Sequence, residues 1–136
     1  MKRALIDTNV LAYACDETDA KSQVALKAIA GTDGGGVVSI QNLAELASIL
    51  TRKKGGVSGE KAQMVLRRVR DALEVVSYDD DTVLQAVAIN REYGTHFYDA
   101  LIAAAMREAG LRTIITENSK DFRGIPEINV VNPFKE

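Results

Sequence analysis

Short apolar runs, each bounded by polar or glycine residues, recur along the chain and predict five β-strands. The runs are two to four residues long and rich in β-branched side chains, which is typical of strands buried inside a domain. They cover residues 4–6, 37–39, 75–76, 113–115 and 128–131. The longer stretches between them have a different periodicity.

In those stretches, apolar residues recur every three or four positions, which is the spacing of an amphipathic helix. Ser or Asp residues that can cap a helix precede several of them, and glycine follows several others. The predicted helices span residues 20–30, 39–50, 58–73, 80–93 and 98–109, with Ser39, Ser58 and either Asp80 or Asp81 as caps. Residues 10–14 begin a helix or a turn after the first strand.

Strands that alternate with helices predict an α/β domain with a mainly parallel sheet. The 136 residues contain no internal repeat and no low-complexity segment, so we expect one domain over residues 1–136. Ligands of such sheets bind beyond the carboxyl ends of the strands, where the strand order reverses. Asp7 follows the first strand and Thr116 follows the fourth, so we expect both at that edge.

Carboxylates lie beside apolar residues at four places in the sequence. Asp7 ends the first strand, Glu45 and Asp99 lie within apolar helical segments, and Glu117 and Asp121 follow the fourth strand. An unpaired charge among buried side chains is costly. Two carboxylates about 4 Å apart repel each other by roughly 4 kcal/mol at an effective dielectric constant near 20. A shared divalent cation removes this repulsion, so the pattern predicts a metal site.

The available ligands point to a hard cation. The chain has one His and one Cys, which is too few nitrogen and sulfur ligands for a typical zinc site. Mg²⁺ prefers oxygen ligands, takes one or two carboxylates directly and keeps several waters. Such a site suits the hydrolysis of phosphodiester bonds.

Composition and charge limit the cellular compartment and the partners that we expect for this chain. The formal net charge is −2, so a nucleic acid would have to bind a local basic cluster. Arg52, Lys53 and Lys54 are the candidate cluster for RNA phosphates, with a solvated surface as the alternative. A single cysteine fits a reducing compartment. With no signal-peptide pattern and no apolar run near the roughly 18 residues of a membrane span, we expect a cytoplasmic protein without a membrane partner.

Four sequence motifs together resemble the PIN domain family, and within it the VapC-type ribonuclease toxins of prokaryotic toxin–antitoxin pairs. The motifs are Leu5-Ile6-Asp7-Thr8-Asn9-Val10-Leu11, Asn42-Leu43-Ala44-Glu45-Leu46, Tyr98-Asp99-Ala100-Leu101-Ile102-Ala103-Ala104-Ala105 and Ile115-Thr116-Glu117-Asn118-Ser119-Lys120-Asp121-Phe122. The closing Val131-Asn132-Pro133-Phe134 is also typical of the type. The motifs occur in family order and cover nearly the whole chain.

The resemblance implies a fold, an activity and a set of partners. The fold would be a three-layer α/β/α sandwich with a mainly parallel sheet of about five strands. The activity would be that of an endoribonuclease that depends on Mg²⁺, with Mn²⁺ as a substitute, and that leaves 3′-hydroxyl and 5′-phosphate ends on RNA. The implied partners are RNA, a small cognate antitoxin and a second copy of the chain in a homodimer.

The resemblance also implies roles for individual residues. Asp7 and Asp99 match the principal metal-binding aspartates of the family, and Glu45 matches the acidic residue on the helix between them. Asp121 completes the candidate catalytic set. The supporting positions are Thr8, Asn9, Thr116 and Asn118. Asn118 stands where many members have an aspartate, and Asp121, about one turn later, can supply the missing charge.

The same acids allow other protein classes and structural roles. A haloacid-dehalogenase-like phosphatase needs a second acid where this chain has Asn9, and a receiver domain needs an Asp after the third strand, where residues 75–78 have none. A catalytically silent PIN domain that binds RNA or protein stays open because of Asn118. Each acid also has a structural alternative, as a helix cap or as a surface residue.

Overall fold

In the computed structural model, which describes residues 3–135, five short strands form one sheet in which all neighbours are parallel. The strands are β1 (Ala4–Ile6), β2 (Gly36–Ser39), β3 (Glu74–Val76), β4 (Thr113–Ile115) and β5 (Asn129–Val131). Their order across the sheet is β3-β2-β1-β4-β5. The central strand β1 is fully buried, as expected for a parallel strand that is covered on both faces.

Six α-helices of residues 3–135 connect and cover these strands. They are α1 (Thr8–Cys15), α2 (Ser22–Ala30), α3 (Ile40–Thr51), α4 (Gly59–Ala72), α5 (Asp80–Tyr93) and α6 (Phe97–Glu108), with a short 3-10 turn at Ser119–Asp121. None of these helices has both the length and the hydrophobic character that spanning a membrane requires.

The helices cover the two faces of the sheet with separate apolar cores. Leu5 points into the core that α5 and α6 cover, whereas Ala4 and Ile6 point into the core formed with α1 to α4. This alternation follows from the two-residue period of side chains along a strand. The predicted three-layer α/β/α sandwich with a parallel, five-stranded sheet is therefore confirmed.

Most predicted elements are present, but the cap of α5 was predicted at the wrong residue. Asp79, not Asp80 or Asp81, caps this helix, because Asp79 Oδ1 accepts the Thr82 N–H at 3.2 Å while Thr82 Oγ1 accepts the Asp79 N–H at 3.1 Å. Such a reciprocal pair needs residues three apart. Asp80 and Asp81 lie in the first turn instead, where the helix dipole favours carboxylates.

The strand order creates a switch point at the carboxyl end of β1. The chain moves from β1 to β2 and β3 on one side, and then crosses to β4 and β5 on the other side. Asp7 and Thr116 come directly after β1 and β4, as expected from the sequence. Because α3 follows β2 and α6 runs into β4, both helices begin at this same edge of the sheet.

The cap of α3 ties the fold to this edge, and its loss should be costly. Ser39 is fully buried; its Oγ accepts the Asn42 N–H at 3.1 Å and donates to Asn42 Oδ1 at 2.9 Å. We expect Ser39→Ala to lower the free energy of unfolding by about 2 kcal/mol, the upper range for a cap, because buried Asn42 loses a partner.

Urea denaturation measures this change, and Ser58→Ala is the matched control. Ser58 caps α4 by accepting the Lys61 N–H at 3.2 Å, but at an exposed site. Its replacement should cost about 1 kcal/mol or less. Equal costs for the two variants would contradict the role given to the buried Ser39–Asn42 pair.

Candidate active site at the carboxyl edge of the sheet

A pocket of about 370 Å³ opens at the switch point, and three of the predicted carboxylates line it. Asp7 reaches it from the end of β1, Glu45 from α3 and Asp99 from the first turn of α6. The predicted supporting residues Thr8, Asn9 and Asn118 also line the pocket, together with Ser48, Ile49 and Ile102. The fold thus brings together side chains that lie up to 111 positions apart in the sequence, between Asp7 and Asn118.

Asp7 is the most deeply placed of these acids, with 5% of its surface exposed. Its Oδ1 accepts the Thr8 N–H at 2.8 Å, and its Oδ2 accepts the Thr116 hydroxyl at 2.7 Å and, at a longer 3.4 Å, the Asn9 side-chain amide. Burial raises the pKa of Asp7, and the bonds from Thr116 and Thr8 offset part of that rise. The charge of Glu45 raises this pKa further.

Glu45 is oriented by donors to both of its carboxylate oxygens. Thr8 Oγ1 donates to Oε1 at 2.7 Å, and Gln41 Nε2 approaches Oε2 at 3.4 Å. Asn42 Nδ2 in turn donates to Thr8 Oγ1 at 3.1 Å and so fixes the direction in which that hydroxyl donates. Thr8 therefore links the acid of α3 to the end of β1.

Asp99 is half-buried, and its ionisation is strongly perturbed. Burial first, and then the negative charges of Asp121, Asp7 and Glu45, raise its pKa from 3.8 to about 6, with His96 opposing the rise. The carboxylate is thus disfavoured by its surroundings in the absence of a cation.

None of the described residues that line the pocket is Lys, Arg or His, so its carboxylates are not paired there. The ion pairs found within residues 3–135 are Arg3–Glu74, Lys21–Glu117, Arg70–Asp71 and Arg107–Glu127, and all of them lie outside the pocket. Besides two isoleucines, the lining offers carboxylate, hydroxyl and amide oxygens. This donor set fits a hard divalent cation better than zinc or copper.

The acids that the structure describes are not arranged so that three or more of them could coordinate one ion directly, however. Within the described residues, no three His, Cys, Asp or Glu side chains are close enough to one another to hold a single ion together. One or two direct carboxylates with further contacts through water is the arrangement that Mg²⁺ commonly takes. The geometry is compatible with that arrangement.

Asn118 and Asp121 occupy different positions relative to the pocket. Asn118 lines it, and its backbone N–H donates to Thr116 Oγ1 at 3.0 Å. Asp121 is exposed at the end of the 3-10 turn and is not among the lining residues, although among the charges that raise the pKa of Asp99 it makes the largest contribution. The negative charge of Asp121 therefore reaches the pocket.

The segment that carries Thr116 and Asn118 is held against neighbouring elements by contacts of Glu117. The Glu117 carboxylate accepts the Tyr13 hydroxyl at 2.5 Å and pairs with Lys21, whose ammonium lies 5.0 Å from the ring centre of Tyr13 and 5.5 Å from that of Phe134. The Glu117 N–H donates to Asn9 Oδ1 at 3.2 Å. This cluster connects the pocket wall to α1, α2 and the C-terminal segment.

The predicted basic cluster lies beside the pocket but does not line it. Arg52 is the C-terminal cap of α3, and Lys53 and Lys54 follow it; all three are exposed. Ser48 and Ile49, which line the pocket, precede Arg52 by about one helical turn. The cluster therefore follows the pocket-lining part of α3 along the chain.

Sequence analysis did not identify Gln41 and Asn42 as part of the site. They precede Glu45 by four and three positions, and residues at this spacing share one face of a helix. The available signal for their role was this spacing: both are polar residues that precede, on the same helix face, an acid embedded in an apolar segment.

Comparisons with known proteins give a family and several similar folds. The family profile described as PIN domain matches residues 4–128. A toxin–antitoxin complex from Klebsiella pneumoniae is 26% identical and has a TM-score of 0.71, over 98% of this chain and 99% of that chain. DNA-bound VapBC from Salmonella typhimurium is 21% identical with a TM-score of 0.76, over 98% and 99% of the two chains.

A third similar structure is VapC20 from Mycobacterium tuberculosis, described as a sarcin–ricin loop cleaving toxin. It is 22% identical with a TM-score of 0.67, over 82% of this chain and 86% of that chain. Comparison of the sequence with curated proteins gives no significant match.

The raised pKa of Asp99 predicts how the metal-free protein responds to pH. The folded state keeps this proton up to about pH 6, whereas the ordinary pKa is 3.8. The free energy of unfolding should therefore fall as pH rises from about 4 to 6. The full shift corresponds to about 3 kcal/mol, and solvent screening of this half-buried group reduces it to about 1.5 kcal/mol.

Urea denaturation in EDTA at pH 4.5 and pH 7.5 measures this effect by comparing the wild type with Asp99→Asn. The variant has no charge to bury, so it should be the more stable protein at pH 7.5, and the difference should shrink at pH 4.5. A variant that is less stable than the wild type at pH 7.5 would mean that the Asp99 carboxylate is stabilised by its surroundings.

Proposed function

The chain belongs to the PIN domain family, and on this basis we propose that it is an endoribonuclease that hydrolyses phosphodiester bonds in RNA with the aid of a divalent cation. The observation that carries this proposal is the convergence of Asp7, Glu45 and Asp99 on one pocket in which no Lys or Arg of residues 3–135 pairs with them. A purely structural cluster would be expected to contain a compensating Lys or Arg, because unpaired buried charge is costly.

Mg²⁺ is the proposed cofactor, with Mn²⁺ as a substitute, because the pocket offers oxygen ligands. Asp7 and Asp99 would hold the ion, and Glu45 and Asp121 would contribute directly or through water. When bound, such an ion supplies a nucleophilic water and offsets charge on the phosphate. Its positive charge would offset the burial and the mutual repulsion that raise the pKa values of Asp7 and Asp99.

The protein's own residues would orient the carboxylates and place a neutral donor beside the phosphate. Thr116 and Thr8 hold the Asp7 carboxylate in a fixed direction, and Thr8 does the same for Glu45. Groups held in place before the reaction lose little freedom during it. Asn118 places an amide at the wall of the pocket, where it can donate to a phosphate oxygen that a carboxylate would repel.

We assign the toxin role and the partners from the similar structures. Several of these are described as toxin–antitoxin complexes, and some of them are bound to DNA. The proposed partners of this chain are RNA as substrate, a small antitoxin and a second copy of the chain, in the cytoplasm. A short reading frame for an antitoxin-like protein beside the gene would support this role.

The rival proposal is a catalytically silent PIN domain that binds RNA or protein. Asn118 favours it, because many family members have an aspartate there. Cleavage assays separate the two: the enzyme proposal requires activity from the folded, antitoxin-free wild type.

Replacing either aspartate should abolish that activity. Asp7→Asn and Asp99→Asn should each lower Mg²⁺-dependent cleavage of RNA by at least about 100-fold, because several kcal/mol of charge stabilisation depends on the ion. A quenched fluorescent RNA reports the rate, with EDTA as the blank. Asp71→Asn, at an exposed position on α4, is the matched control and should retain the wild-type rate.

Two results would count against the proposal. Wild-type rates in both Asp7→Asn and Asp99→Asn would remove these residues from the catalytic set. No cleavage by folded wild type freed of antitoxin would favour the binding module.

The basic cluster at the end of α3 should contribute to RNA binding through phosphates. Replacing Arg52, Lys53 and Lys54 together with Ala should flatten the dependence of log K on log salt by about 2, because each phosphate contact to a single strand contributes about 0.7. Fluorescence anisotropy in an Asp99→Asn background without Mg²⁺ measures binding alone. The control replaces the exposed Lys27, Arg91 and Arg112, which changes the net charge equally. Equal slopes for the two triple variants would show that the cluster is only a solvated surface.

A further inference from the structure

We propose that Gln41 is a positioning residue that sets the placement of Glu45 relative to the start of α6, which carries Asp99. The inference rests on the proposed function of this pocket. Gln41 lies in the first turn of α3, is only 6% exposed and does not line the pocket. It therefore acts through other residues and not on the substrate.

One amide nitrogen of Gln41 joins two helices that belong to different layers. Nε2 donates to the Tyr98 carbonyl oxygen at 3.0 Å and approaches Glu45 Oε2 at 3.4 Å. Tyr98 is the residue immediately before Asp99. Helix α3 packs in the core on one face of the sheet, and α6 packs in the core on the other face. Gln41 thus bridges the two layers next to the acids that each contributes.

The oxygen of the same amide group points to a role of Gln41 beyond folding. Gln41 Oε1 is buried and has no hydrogen-bond partner among the described residues. Burying an amide oxygen without a partner disfavours folding, and an apolar side chain of similar length would avoid that cost. The useful part of Gln41 is consequently its N–H donors, whose acceptors are the carboxylate of Glu45 and the carbonyl of the residue that precedes Asp99.

Losing these donors should loosen the site in two ways. Glu45 would keep only the Thr8 donor and could rotate, and the first turn of α6 would lose its tie to α3. Metal ligands have to be placed within a few tenths of an ångström. Partners that orient the ligands typically change metal affinity by 10- to 100-fold.

The test is Gln41→Met, which keeps the length of the side chain and removes its donors. Isothermal titration of the metal-free protein with Mn²⁺ should show a dissociation constant at least about 10-fold higher than that of the wild type. The melting temperature without metal should stay the same or rise. Gln23→Met, at an exposed position on α2, should change neither quantity. If the Met variant does not fold, Gln41→Asn, which is one carbon too short to span both acceptors, should show the same weaker binding.

Each outcome has a separate meaning. Wild-type Mn²⁺ affinity in folded Gln41→Met, with affinity lost in Asp99→Asn, would overturn the role of Gln41 and leave the proposed function intact. A lower melting temperature with unchanged Mn²⁺ affinity would also overturn it, because it would show a merely structural residue. No Mn²⁺ binding by the wild type would instead refute the metal site on which the inference rests.

Discussion

The buried carboxylate of Asp7 at the end of the central strand is the feature on which the rest of the structure depends. Its two oxygens accept hydrogen bonds from the first residue of α1 and from Thr116 after β4. The same contacts that make burial tolerable therefore join two elements that flank the switch point. Any change that moves Asp7 changes both the local fold and the pocket, because one donor is the Thr8 backbone N–H at the start of α1 and the other is the Thr116 hydroxyl after β4.

This arrangement stores an electrostatic cost that a ligand can relieve. Burial and mutual repulsion raise the pKa values of Asp7 and Asp99, and no Lys or Arg of residues 3–135 pairs with them. Proteins commonly accept lower stability at functional sites, where local rules of folding are broken. Gln41 fits the same pattern, with a buried oxygen that nothing in the described chain satisfies.

Local pattern, strand ends and the four motifs were enough to predict the elements and the acids that line the pocket, whereas contacts between distant side chains outside those motifs were not predicted. Asp7 and Thr116 were expected at one edge because parallel strands end there, and the cap at Ser39 follows from its spacing to Asn42. The contact between Lys21 and Glu117 spans 96 positions, and no local signal indicates it. The motif places Asp121 in the candidate catalytic set, and that role stays a prediction; its exposure and its absence from the residues that line the pocket become visible only in three dimensions.

Anomalous diffraction from crystals of the antitoxin-free protein soaked in Mn²⁺ tests the proposed metal site most directly. We expect a peak in the pocket within coordination distance of Asp7 or Asp99 oxygens, and no such peak in crystals of Asp99→Asn. A peak at another site with an empty pocket, or an unchanged peak in Asp99→Asn, would contradict that proposal.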